Sequence, residues 1–257
     1  NALANGGHPK ATHFIRVEDQ GRLTIQDSST EKSGSITASY HANSALFVVE
    51  VMSGGTLTVE GGKLQNAGGS ETNYGSETVY VHEGGTFNLN GGTIHSVQIT
   101  AKKRVYPVYN KGTVKVNGGS ITSTGTDCGI VNDGGTLTIN AGDLTGIKAA
   151  NAIDSTSSGT VKLSGGTFKG VPKVAWLGEG FVGVYDGTVT AVGRTAPEAY
   201  AANLNEKLYY TGEGGADKAL AAAVCGDSIS FCVAPTMTKT LALYATLTVT
   251  LKYGIAF

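Results

Sequence analysis

Apolar and polar positions alternate in short bursts along most of this chain, and the bursts recur. GGTLTVEGG runs from Gly54 to Gly62, GGTFNLNGG from Gly84, GTVKVNGG from Gly112, GGTLTINAG from Gly134 and GTVKLSGG from Gly159. Within each copy the hydrophobes sit two apart: Leu57 and Val59, Phe87 and Leu89, Val114 and Val116, Leu137 and Ile139, Val161 and Leu163. Period two is the signature of a strand with one buried face. A glycine-rich corner follows, then a second short strand with one inward hydrophobe: Leu64, Ile94, Ile121, Leu144 or Phe168. A third strand precedes each copy, and Val17, Val51, Val81, Val108 and Val131 are read as its equivalent inward positions.

From Ile25 the last hydrophobe of the burst returns at Val59, Leu89, Val116, Ile139 and Leu163, at intervals of 34, 30, 27, 23 and 24 residues. The local pattern holds while the period drifts, so the insertions fall at one place in each repeat. Three strands in so few residues leave no room for a crossover helix. The arrangement that satisfies this is a coil of three strands stacked on like coils, a parallel β-helix. A single coil cannot bury its inward side chains; stacked coils bury them in columns, each worth about 1.5–3 kcal/mol.

The rungs "GGTLTVEGGKL", "GRLTIQDSSTEKSGSITA" and "GGTFNLNGGTI" resemble the right-handed parallel β-helix repeats of pectin-lyase-like proteins. More narrowly, they are similar to non-enzymatic stretches of large secreted surface proteins from anaerobic, often gut, bacteria. The resemblance covers about residues 14–192. It implies an all-β fold: a right-handed, single-stranded β-helix of about seven coils over 1–193. Residues 194–257 depart from the rung pattern. Ala216–Val224 reads as one short amphipathic helix, and Ser228–Val233 and Thr246–Lys252 read as strands. This stretch is either a C-terminal cap over the open end of the solenoid or the start of another β-helix module.

Composition narrows the function. Charged residues make up 15% of the 257, and the net charge is −1. That is no footprint for nucleic acid, which needs a basic surplus. No run of eighteen apolar residues predicts a membrane-spanning helix. Low charge, 38 Gly and 11 Tyr suit a secreted or cell-surface protein, and a start at Asn1 fits a processed or excised chain. Cys128, Cys225 and Cys232 match no zinc spacing. Cys225 and Cys232 are a candidate disulfide in an oxidising compartment.

Polysaccharide lyases of the resembled fold use Ca²⁺ held by carboxylates, with a basic residue, on one sheet face. The outward columns of the repeated strand are Arg22, Thr56, Thr86, Thr113, Thr136, Thr160 and Thr24, Thr58, Asn88, Lys115, Thr138, Lys162. Neither holds a carboxylate, and calcium needs several. A flat Thr-x-Thr array of the ice-binding kind is broken here by Arg22, Lys115 and Lys162. Asp19, Glu83 and Asp133 recur at corners, with Ser53 and Asn110 read in register, and are taken as turn residues. His82 and His95 are read as surface residues. No catalytic residue, metal site or cofactor is therefore expected.

Binding is expected on the long insertions between the second and third strands of the early coils, because loops on a rigid frame carry function. The candidate residues there are Tyr40, Asn73, Tyr74, Lys102, Lys103 and Arg104, with His41 among them and Tyr106 just beyond. The expected function is structural or adhesive, with a polysaccharide or a surface protein as partner. The alternatives are a carbohydrate-active enzyme and an end-to-end self-assembling unit.

Overall fold

The computed structural model describes residues 2–4, 13–38, 47–67, 76–98, 105–211, 213–224, 226–232 and 248–251. Two compact units make up the chain, residues 1–162 and 163–257.

The first unit is a parallel β-helix with three strands per coil. The first sheet stacks the strands His13–Val17, Phe47–Val51, Ser76–Val81, Val105–Asn110, Ile130–Asn132 and Ile153–Ser155. The second stacks Arg22–Ile25, Thr56–Val59, Thr86–Leu89, Thr113–Val116, Thr136–Ile139 and Thr160–Leu163. The third begins with Ala2–Ala4 and continues through Ser35–Ala38, Lys63–Asn66, Thr93–Ser96, Ser120–Ser123 and Asp143–Leu144.

Every ladder between these coils is parallel and in register. Leu23, Leu57, Phe87, Val114 and Leu137 form one inward column. The last four of these are completely buried. Ile36, Leu64, Ile94 and Ile121 form another. The corners explain the glycines. Gly54 and Gly84 adopt φ of 74° and 77°, and a Cβ on Gly54 would collide with the Asp19 carboxylate one coil below.

The third strand departs from the expected register in the later coils. Val17, Val51 and Val81 do share a column. Their partners above are Asn110 and then Asn132, whereas Val108 pairs with Val79, and Val131 points outward beside Tyr109. The corner length is the cause. Four residues separate Val81 from Thr86, but only Lys111 and Gly112 separate Asn110 from Thr113. The buried Asn side chains supply the bonds that a shortened corner loses. Gly112 N donates to Asn110 Oδ1 at 3.0 Å, and Asn132 Nδ2 donates to the Gly135 carbonyl at 2.9 Å. Asn110 Nδ2 also donates to Asn132 Oδ1 at 2.7 Å, tying the two coils together. A second amide ladder runs outside, where Asn140 donates to Asn117, Asn117 to Asn90 and Asn90 to Glu60, at 2.8–2.9 Å.

The second unit abandons coil geometry. Thr167–Lys169 pairs antiparallel with Val189–Gly193, and Phe168, expected as an inward hydrophobe, is buried and faces Thr190 across that ladder. Val182–Tyr185 pairs antiparallel with Val189–Gly193 and parallel with Leu208–Tyr210. Ala202–Leu204 lies antiparallel to both Leu208–Tyr210 and Ser228–Phe231, and Thr248–Leu251 runs parallel to the latter. Helix α1, Gly215–Ala222, falls where the alanine-rich sequence predicts it. It turns Ala216 and Ala219 into a cluster with Leu204, Leu208, Tyr210, Ile229 and Phe231. Gly214 starts it from the left-handed region at φ 65°.

Candidate functional site

The chemistry-bearing side chains of the first unit gather on the outer face of the first sheet. Alternation along these strands turns Val49, Val51, Val79 and Val81 inward and leaves Arg16, Glu50, Tyr80 and Tyr109 on the opposite face. Parallel register puts those four in one column, on consecutive coils.

Glu50 occupies the lower part of this column and is almost buried, at 9% exposure. His13 Nδ1 stands 3.1 Å from its Oε2, His82 Nε2 stands 2.8 Å from its Oε1, and Arg16 Nε lies 3.7 Å away. Three cationic or hydrogen-bonding side chains from neighbouring strands thus converge on one carboxylate. That convergence offsets the cost of taking it out of water.

Aromatic rings continue the column. Tyr80 and Tyr109 stack with centroids 5.2 Å apart and planes 4° from parallel. Phe47 closes on the other side of Tyr80 at 4.9 Å, His82 packs at 4.6 Å, and Tyr106 leans on Tyr109 at 6.1 Å. The rung spacing brings the rings together, so their faces are largely spent on one another and their edges and hydroxyls meet the solvent. Tyr109 donates its hydroxyl to Asp133 Oδ2 at 2.8 Å, and Lys111 Nζ lies 3.4 Å from the same oxygen. Burial, then the Asp133 bond, pushes the Tyr109 phenol up. Burial also raises Tyr80, against the pull of Lys111.

A second carboxyl lies beside this column. Glu77 pairs with Tyr106 across the ladder and is 6% exposed. Burial alone lifts its pKa from 4.5 to about 8, so it holds a proton at neutral pH. Both Tyr80 and Tyr109 feel its charge. The face therefore offers two ion-paired carboxylates, Glu50 and Asp133, one protonated carboxylic acid, three phenols and two imidazoles.

The second sheet does carry the expected columns, with Arg22, Thr56, Thr86, Thr113 and Thr136 in one and Thr24, Thr58, Asn88, Lys115 and Thr138 in the other. Besides the corner acid Asp133, the carboxyls of this face are Glu50 and Glu77, which lie on first-sheet strands. Asp133 does not align with Glu83. It follows Asn132 as Lys111 follows Asn110, and it binds Tyr109 and Lys111 in addition to making its turn. His82 is a partner of Glu50, whereas His95 sits on the third sheet, 2.7 Å from Thr122 Oγ1. The available signal was the outward residue of each third strand, Glu50, Tyr80 and Tyr109, which reads polar-aromatic once the strand is phased.

Of the binding residues expected from sequence, Tyr106 stands at the edge of this face. Tyr40, Asn73, Tyr74, Lys102, Lys103 and Arg104 lie outside the described residues, as does His41. The segments that contain them, 39–46, 68–75 and 99–104, lead directly into the strands carrying Phe47, Glu77 and Tyr106. Cys232 is a free thiol, and its proposed partner Cys225 lies outside the described residues. Burial pushes the Cys128 thiol up to about 12, which leaves it unreactive at neutral pH. Among the described residues, no group of three His, Cys, Asp or Glu has the geometry to hold a metal ion, and no helix is long and apolar enough to cross a membrane.

No family model, no curated protein and no solved structure matches the chain.

Proposed function

We propose that this protein is a secreted or surface-attached β-helix whose first-sheet outer face binds a polysaccharide without turning it over. The observation that carries this reading is the concentration of Glu50, Tyr80, His82, Tyr106, Tyr109 and Asp133 on one face. The second sheet offers mostly Thr in the same coils. Sugar hydroxyls suit carboxylate acceptors and phenol donors, and the exposed aromatic edges give the C–H groups of a sugar ring an apolar contact. The three long insertions of the early coils immediately precede strands of this sheet in the sequence, and loops on a rigid frame are where binding residues concentrate. The likeness of the rungs to secreted surface proteins supports the location.

A second reading, a polysaccharide hydrolase or lyase, has one observation in its favour. Glu77 is held protonated while Glu50 is ion-paired on the adjacent strand, and two carboxyls in contrasting environments are what general acid-base cleavage uses.

A panel of immobilised plant and host polysaccharides, with and without Ca²⁺, separates the readings. Retention on at least one glycan, lost in Tyr80→Ala and Tyr109→Ala and kept in Thr58→Ala, is the expected result. New reducing ends or unsaturated products would replace the binding reading with the enzymatic one. Retention unaffected by either Tyr substitution would remove the first-sheet face from the function.

A further inference from the structure

The second unit holds a pocket that the glycan reading does not use. It has a volume of about 560 Å³ and is walled by Val171, Val174, Leu204, Leu208, Tyr210 and Ala222, among others. That size and apolar lining match the sites that enclose small ligands. Its polar groups are few: Lys173, whose Nζ lies over the Trp176 ring at 5.1 Å, Asn205 and Asp227, besides the Tyr210 hydroxyl. Asp227 accepts from Val224 N and from Asn205 Nδ2, both at 2.7 Å. Asn205 Oδ1 in turn accepts from Ser228 N at 2.7 Å. Asn205 and Glu206 both sit in the left-handed region, at φ 53° and 54°. Two successive non-glycine residues there are costly and persist only where surrounding bonds hold them. The rim is therefore rigid.

The wall contains an anomaly. Tyr210 is completely buried, and its hydroxyl has no hydrogen-bond partner among the described residues. Buried hydroxyls are almost always paired, because leaving one unpaired costs about 1–3 kcal/mol. Its neighbour Tyr185, packed edge-on at 5.7 Å, shows the ordinary outcome and donates to the Gly187 carbonyl at 2.7 Å. Tyr210 instead keeps a free donor in an apolar wall. The wall as it stands also shuts water away from that oxygen, so only a ligand that presses the wall aside can reach it. Val224, 67% exposed beside the end of α1, is the pocket residue held least by packing.

We propose that this pocket binds a small, largely apolar molecule bearing one hydrogen-bond acceptor, a carbonyl or ether oxygen, which takes the Tyr210 O–H. The apolar walls receive the body of the molecule, and the Tyr210 donor selects for the acceptor. A hydrocarbon of the same shape fills the walls and leaves the hydroxyl unpaired.

The test uses the whole chain and two probes of nearly equal shape, 4-phenylbutan-2-one and butylbenzene. Binding is followed by isothermal titration and by chemical-shift changes in the second unit. The ketone is expected to bind about tenfold more tightly, as one net hydrogen bond implies. Tyr210→Phe keeps the ring volume and should erase that preference while leaving butylbenzene binding in place. Ala222→Trp, which fills the pocket, should abolish both. Failure of both probes to bind the wild-type chain overturns the proposal. So does a ketone preference that survives Tyr210→Phe. If Tyr210→Phe fails to fold, the wild-type preference and its loss in Ala222→Trp decide the matter.

Discussion

Glu50 and Thr58 belong to the same coil, one corner apart, yet they stand on faces of opposite character. Around Thr58 the second sheet repeats Thr, Asn and Lys, with each half-buried or exposed side chain beside its counterpart. Around Glu50 the first sheet gathers imidazoles, a guanidinium and stacked phenols into a partly buried layer. Both faces inherit the same rung spacing. A solenoid thus gives every position in a coil the same neighbours-by-register rule, and the residue type decides whether the rule makes a passive surface or a site.

Four substitutions test that contrast, from the largest effect to the smallest. Glu77 comes first. Its folded pKa of about 8 lies above the ordinary 4.5, so folding takes up a proton between those values. Stability therefore falls as pH rises from about 4.5 to 8. Glu77→Gln should remove that slope and raise stability at pH 8 by about 3–5 kcal/mol. Urea midpoints at pH 5 and pH 8 read it directly, and an unchanged slope would mean that another group titrates. Next, Tyr80→Ala opens the centre of the aromatic stack and should cost about 2–4 kcal/mol. A loss below about 1 kcal/mol would show that the stack is held loosely.

Tyr109→Phe keeps the stacking but deletes the bond to Asp133, for an expected loss of about 1 kcal/mol. Lys111 still faces Asp133 in that variant, so a loss well above this would point to wider rearrangement. Thr58→Ala on the opposite sheet should change stability by no more than about 0.5 kcal/mol and leave glycan retention untouched. If it weakened retention as Tyr80→Ala does, the passive face would not be passive.

The rungs themselves were plain in the sequence. Leu57-x-Val59 and its repeats stack as the period-two pattern requires, and the second-sheet columns agree residue for residue. The short helix and the strand after it also fall where α and β patterns place them. The site was hidden because counting back from each rung by a constant offset fails. Corners of two and three residues in the later coils slide Asn110 and Asn132 into the inward column and move Val131 to the surface. Phe168 is buried as the pattern expects, but the antiparallel partner on its other side was not legible, since an inward hydrophobe looks the same whether that neighbour is parallel or antiparallel.

The sequence by itself determined the unit of construction, because alternation and glycine corners are local and need only their own few residues to act. It also determined that the coils would stack, since no single coil buries its own hydrophobes. Tertiary structure alone decided which side chains meet. Glu50 reaches His82 across 32 positions and Tyr109 reaches Asp133 across 24, distances set by insertions whose lengths obey no period. Tertiary packing likewise left the Tyr210 hydroxyl without a partner among the described residues, because only the assembled wall of the second unit buries it away from polar neighbours.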